Sequence, residues 1–453
     1  MLASITPRQL VLAALVVWCS CIGLMWWMAC PLTGDEAAYA LLARGRGGGW
    51  LYRPLGFVAF ARLGAGLGDS ELALRIPSAI VACLLIPAVY AVGRTLGTWV
   101  GAWAAAIIAG THTFVLRGPA LLTDLPSTMC LLGAIALVIG ELDRASGPRY
   151  RLVLVAPLLA AAFYMRYGSA PTVAILVIAA CAVWWRAVLA RPGPVLVTAA
   201  LLAALLFPFL VYSHRMTGSF AGILTLAGEV AGRRYVGHGL VIYLIENPLR
   251  YHGVLAAPVA IAGLLGIARP PVQRRRARFL AIVALGQFVV IGLVSHANAR
   301  FIFLAIILLV VLGVDAISRV IAARPGLERR ATRIAAITVV AGWLGMLIAI
   351  VPVQHHLQRG LAEVVASGRA IRADAAGRPC AVIARAVPQI MWYSGCTAVK
   401  PPRGVEALPP LPDGHRIYAV SVPRRSIDGA KVAQLAGAEP VVIAPGAWYL
   451  QPP

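Results

Sequence analysis

Charge is scarce in this chain of 453 residues. Asp, Glu, Lys and Arg make up only 13% of it and apolar residues 60%, whereas ordinary soluble domains carry about 25% charged residues. That deficit excludes a soluble globular protein and points to a polytopic membrane protein. Lysine is nearly missing, since only Lys400 and Lys431 accompany 38 arginines. No small-residue cleavage site follows the first apolar run, Leu10–Ala29, whose Met25-Trp26-Trp27-Met28 end reads as an interfacial aromatic belt. It is therefore kept as an uncleaved span. No internal period of 20 to 50 residues and no low-complexity tract is present, which excludes a solenoid.

Apolar windows recur after that first run at 76–92, 99–116, 125–140, 152–165, 170–185, 195–212, 254–268, 279–294, 301–317 and 334–353, making eleven in all. Several are shorter than the roughly 17 residues a lone span needs, but their regular spacing predicts that they cross as a set.

The formal net charge of +23 raises nucleic acid as a partner until its placement is considered. With the N-terminus inside, the inner loops are 93–98, 141–151, 186–194, 269–278 and 318–333. They hold Arg94, Arg144, Arg149, Arg151, Arg186, Arg191, the run RRRAR at 274–278, and five further arginines between 319 and 333. That is the positive-inside pattern, so the partner is anionic lipid and not nucleic acid. Loops 30–75, 117–124 and 213–253 and the tail then face outside. The expected division is a membrane domain over 1–353 and a small extracytoplasmic α/β domain over 354–453.

The tail alternates short apolar strands (381–384, 397–400, 417–422, 441–444) with helices (357–373, 388–394, 429–436). It has no Gly-rich phosphate loop and no Cys/His cluster of metal-site spacing. Cys380 and Cys396 are its two cysteines and form a disulfide candidate suited to an oxidising compartment. In the outer loops, 50–67 and 237–253 mix aromatics with polar flanks and read as helices lying in the interface.

Two acidic sites stand at the outer mouths of spans. Thr33-Gly34-Asp35-Glu36 is a T-x-x-E capping box, which by itself is worth about 1 kcal/mol and needs no function. Thr123-Asp124-Leu125-Pro126 admits the same reading. Yet ionisable groups at a charge-poor membrane rim are usually functional. At the same predicted depth lie Arg53, Arg75, Arg117, Arg166, Arg215, Arg233, Arg234 and Arg300, with Tyr39, Tyr52, Tyr167, Tyr235, His214, His252 and His296. Single arginines there are ordinary snorkelling anchors; together they are what a phosphate-bearing lipid requires. Arg166 and Arg300 each interrupt otherwise apolar sequence, and a buried guanidinium needs an anionic partner.

GDEAAY (34–39), YRPLG (52–56), ALRIPSAI (73–80), LRGPALLTDLPS (116–127) and ARF (299–301) resemble the polytopic GT-C glycosyltransferases that use polyprenyl-phosphate sugars, such as lipid A aminoarabinose transferases and protein O-mannosyltransferases. The resemblance covers the first 130 residues well and the remainder by topology. It implies a GT-C fold, a polyprenyl-phosphate sugar as donor and an extracytoplasmic acceptor; two lysines against 38 arginines, with abundant alanine, point to a GC-rich bacterial genome and so to a bacterial inner membrane. The resemblance assigns Asp35 as the catalytic carboxylate. Glu36 and Asp124 would orient the acceptor or hold a divalent ion, with no ligand set readable from spacing. Arg53, Arg117, Arg166, Arg234, Arg300, Tyr39, Tyr235 and His296 would bind the donor phosphate and sugar. With no second carboxylate nucleophile in view, inversion is expected. One departure is Arg166 in MRYGSAP, where many relatives show Lys-Gly. A transporter or flippase of a lipid-linked solute is the rival class, but it favours charges at midplane in repeated halves. A glycan ligase or polymerase of similar architecture is the rival within the class.

Overall fold

The computed structural model describes residues 5–28, 31–47, 50–143, 150–190, 192–230, 235–246, 249, 253–267, 274–324, 326–401, 408, 410, 412, 414–421, 427 and 429–451. The chain divides into two compact units. One comprises Met1–Trp27, Trp50–Phe57 and Ile76–Ile350; the other comprises Met28–Gly49, Val58–Arg75 and Val351–Pro453.

The first unit is a bundle of apolar helices. Pro7–Trp27, Glu71–Gly93, Asp124–Leu142, Pro192–Thr217, Arg275–Val294, Ala299–Ala322 and Leu327–Ala375 are each long and apolar enough to cross a membrane. Thr98–Ala109, Tyr150–Met165, Tyr167–Val183 and Ala256–Gly266 are shorter apolar helices, and they account for the remaining four of the eleven expected windows. The Phe303–Ala322 helix is buried on every side from Phe303 to Val314, as a helix at the centre of a bundle must be. Its backbone runs hard against Ala256–Ile267: a Cβ on Gly313 would collide with the Val259 carbonyl, and one on Gly263 with that of Leu309. Small residues serve here as they do in other membrane helix pairs, by allowing close backbone approach.

Two ion-pair nodes of this unit lie at the two ends of the Asp124–Leu142 helix. At its C-terminal end the Asp143 carboxylate accepts from Arg276 Nε at 2.6 Å, and Arg276 NH1 also donates to the Thr95 carbonyl at 2.6 Å. This joins three of the loops expected to share one side of the membrane. At the N-terminal end Asp124 is met by Arg166 and Arg300. Nineteen residues separate the two nodes, about 28 Å of helix, close to the roughly 30 Å of a hydrocarbon core.

The final span differs from expectation. A stop at Val353 and a separate helix over 357–373 were predicted, but Leu327–Ala375 is one helix of 49 residues with Pro352 inside it. Gln354-His355-His356-Leu357-Gln358 offers neither a glycine nor a capping residue to end the helix.

In the second unit β1 (Cys380–Ala384), β2 (Thr397–Val399), β3 (Arg416–Val420), β4 (Glu439–Ala444) and β5 (Ala447–Gln451) form one sheet in the order β2-β1-β3-β5-β4. β1 runs parallel to β2 and β3, and β5 is antiparallel to β3 and β4. Alternation sorts the two faces: Val382, Ala384, Tyr418 and Val420 pack with Ile371 and Ile390, while Ile383 and Ala419 pack with Ile427, Val432 and Leu450. β5 was not expected from sequence; it returns along β4 through Pro445-Gly446, where Gly446 takes φ +74°, a turn only glycine adopts cheaply. Cys380 and Cys396 are joined as a disulfide. The unit is larger than the expected 354–453, because segments 28–49 and 58–75 of the first loop pack with the tail.

Candidate active site

Asp35 lies in the second unit, in the first turn of the Gly34–Ala43 helix. Thr33 caps that helix, and the capping box closes: Glu36 Oε2 accepts from the Thr33 amide at 3.0 Å and from its hydroxyl at 2.9 Å. Arg75 then grips the same carboxylate, Nε to Oε1 at 2.8 Å and NH2 to Oε2 at 3.1 Å. Both side chains are buried. Glu36 is thereby committed to building the turn, and its neighbour Asp35, half-buried, occupies the helix start, where the macrodipole favours a carboxylate. Tyr39 is buried one turn further along.

The turn is also held from the C-terminal domain. Tyr393 Oη accepts the Leu32 amide hydrogen at 2.9 Å and donates to Glu71 at 2.7 Å, while Gln389 Nε2 donates to the Leu32 carbonyl at 3.3 Å. Burial pushes the Tyr393 phenol far above its ordinary range, and the Glu71 carboxylate adds to the effect. The phenol therefore stays protonated and can both accept and donate.

The first unit carries the second cluster. Asp124 opens the Asp124–Leu142 helix. Arg166 sits where the Val155–Met165 helix breaks into extended backbone, φ −157° and ψ 109°. Ser169 donates to the Ala162 and Arg166 carbonyls at 2.9 and 2.7 Å, and Ser127 donates to Ala162 at 3.0 Å, which pins the break. Arg300 belongs to the 3-10 turn Ala299–Ile302, whose cap Asn298 is held by Tyr243: the phenol donates to the Asn298 carbonyl at 2.9 Å and accepts its amide at 3.0 Å. The Asp124 carboxylate, 4% exposed, pairs with Arg166 through Oδ1 and with Arg300 Nε through Oδ2 at 3.5 Å. Both guanidiniums also face the Phe301 ring, at 4.5 and 5.5 Å from its centroid. Guanidiniums brought together in a poorly solvated place are suited to holding an anion.

The other expected residues are placed as follows. Arg53 lies over the Tyr52 ring at 5.2 Å, His296 sits edge-on to Phe301 at 5.3 Å, and Arg117 and Tyr235 are exposed. Arg233, Arg234 and His252 lie outside the described residues. Among the described residues no three His, Cys, Asp or Glu side chains converge as a metal site. Asp124, a suggested metal ligand, has guanidiniums on both oxygens. Sequence reading did not single out Gln389, Tyr393 or Glu71. The available signal was a polar pair, Gln389 and Tyr393, at i and i+4 of the mostly apolar helix Val387–Ser394, which shares one helix face.

Residues 52–212 match the family described as dolichyl-phosphate-mannose-protein mannosyltransferase. No curated protein sequence matches the chain. Among solved structures, ArnT from Cupriavidus metallidurans bound to undecaprenyl phosphate superposes with a TM-score of 0.71 at 14% identity, covering 97% of each chain. The chain has an ArnT-like fold. The apo form of that ArnT gives a TM-score of 0.70 at 15% identity. The archaeal oligosaccharyltransferase AglB from Archaeoglobus fulgidus, in complex with an inhibitory peptide and a dolichol-phosphate, gives 0.53 at 13% identity and covers 87% of this chain and 65% of its own.

Proposed function

We propose that this ArnT-like chain is a membrane glycosyltransferase that moves a monosaccharide from a polyprenyl-phosphate donor to an acceptor on the extracytoplasmic side of a bacterial inner membrane. The observation that carries the reading is the Asp124–Arg166–Arg300 cluster, two guanidiniums brought to one buried carboxylate at the broken ends of apolar helices, in a fold shared end to end with a protein solved bound to undecaprenyl phosphate.

In this reading the arginines offset the charge that develops on the departing polyprenyl phosphate, an electrostatic stabilisation that is strongest where water is excluded. Asp124 keeps both guanidiniums oriented. Asp35 takes the proton from the attacking hydroxyl or amine of the acceptor as the new glycosidic bond forms and the bond to phosphate breaks. One displacement without a covalent sugar intermediate inverts the anomeric centre. No step is assigned to a metal. The AglB likeness supports a second reading, transfer of a whole oligosaccharide, but it covers less of both chains.

The test is transfer in proteoliposomes supplied with a panel of undecaprenyl-phosphate monosaccharides and oligosaccharides. Release of sugar from a monosaccharide donor, abolished in Asp35→Asn with folding and donor binding retained, is the expected result. Full turnover by Asp35→Asn removes the catalytic assignment, and movement of intact donor between leaflets without release supports a flippase.

A further inference from the structure

We propose that the C-terminal domain belongs to the catalytic apparatus: its Val387–Ser394 helix positions the Leu32–Asp35 turn through Tyr393 and Gln389, which act as positioning residues for the carboxylate. This inference rests on the reading of Asp35 given above and deepens it.

The turn enters its helix over residues 31–36, and the groups that fix it come from three sources. Its own cap bonds the Thr33 amide and hydroxyl to Glu36. Arg75 holds Glu36 and reaches the Pro31 carbonyl at 3.5 Å. The tail helix takes the Leu32 peptide from both sides, its amide through Tyr393 and its carbonyl through Gln389. Leu32 is fully buried, so those two backbone groups have no water to fall back on. Gln389 also stands over Gly34, where an added Cβ would lie 3.7 Å from Oε1. Asp35 is the next residue.

A loop that carries a catalytic group needs a rigid support to hold it within about half an ångström. The tail helix has the properties of such a support. Gln389 and Tyr393 are themselves buried, one turn apart. Pro388 opens the helix and Gly395 closes it at φ +81°. Immediately after it Cys396 is tied to Cys380 at the start of β1. Burying two polar side chains is costly unless their bonds are made, and here those bonds are made to a peptide three residues before the carboxylate. A tail that served only as a surface module would have no use for them.

The experiment uses the full-length protein in proteoliposomes and the variants Tyr393→Phe and Gln389→Leu, each of which removes hydrogen bonds with little change of shape. With whichever undecaprenyl-phosphate sugar of the panel the wild type turns over, kcat falls by about tenfold to 100-fold, as misplacement of a reacting group predicts, while donor KM and the melting temperature stay near wild type. In parallel, amide hydrogen exchange over residues 31–37 accelerates in both variants. Wild-type kcat in both variants, or unchanged exchange over 31–37, overturns the proposal. An equal fall in melting temperature and in kcat reduces the two residues to a structural role and overturns it too. If Asp35→Asn is fully active, the catalytic reading fails separately, and the exchange data still decide whether the tail holds the turn.

Discussion

Arg75 and Glu36 form a two-point ion pair 39 residues apart in sequence, with Nε and NH2 at 2.8 and 3.1 Å from the two carboxylate oxygens. The side chains are 6% and 2% exposed. The pair fixes the start of the helix that carries Asp35, so its loss should be felt both in stability and in the geometry of the turn.

Removing one partner takes the opposite charge away from a buried one, at a typical cost of about 3–5 kcal/mol. Arg75→Ala should therefore lower the melting temperature in detergent sharply, and Arg75→Lys should recover only part, because an ammonium cannot make the two-point contact. Replacing both residues together, Arg75→Met with Glu36→Leu, should recover more stability than Arg75→Lys. Thermal unfolding of the three proteins checks the order.

The Asp124 cluster predicts a split between its members. Asp124→Ala removes the buried carboxylate that pairs with both guanidiniums and should destabilise the bundle. Arg300→Ala keeps the Arg166–Asp124 pair and should chiefly weaken the hold on the donor phosphate as it departs. The loss of one charge-assisted hydrogen bond, about 1.5–3 kcal/mol, corresponds to a donor kcat/KM lowered by about tenfold to 100-fold. Kinetics and melting curves of the two variants measured side by side test the division.

The disulfide encloses a short loop, with a sequence separation of 16 residues. Chain-entropy reasoning gives about 3 kcal/mol for such a closure. A reductant should lower the melting temperature of the wild type and leave that of Cys380→Ser/Cys396→Ser unchanged.

Tyr418 offers a test in alkali. Burial raises its phenol above the ordinary range, and the hydrogen bond it donates to Asp374 at 2.7 Å raises it further. A group whose folded pKa is raised contributes stability below its unfolded value, about 10 for tyrosine, and that contribution is lost as pH climbs through the folded value. Stability of the C-terminal domain should hold at neutral pH and fall above about pH 10. Tyr418→Phe should be less stable at neutral pH and should show a shallower alkaline fall, as read from unfolding curves between pH 7 and 11.

Much of this was legible in the chain. Apolar windows located the helices because a span is fixed by its own length and hydropathy, and the eleven windows correspond to seven long and four shorter apolar helices. Strands β1 to β4 showed in short apolar runs, whereas β5, AWYLQ, did not, since its identity as a strand depends on pairing with β3 and β4. Arg166 and Arg300 were recognisable as buried cations in need of an anion, but whether a lipid anion, Asp35 or Asp124 would supply it was open. The structure pairs both with Asp124.

By itself the sequence determined what is local: that the chain lives in a membrane, where its helices begin, that Thr33 to Glu36 caps a helix, and which side chains carry charge. Only the tertiary structure decided how those charges are spent. By sequence Glu36 was a cap residue and a candidate to orient the acceptor, and in the structure Arg75 pairs with it; Tyr393 and Gln389 gained a bearing on the turn only when the tail helix met Leu32. Hydropathy and capping act over one helix turn to one span, whereas an ion pair or a buried hydrogen bond is set by which distant groups share a place without water, and no periodicity in the chain encodes that.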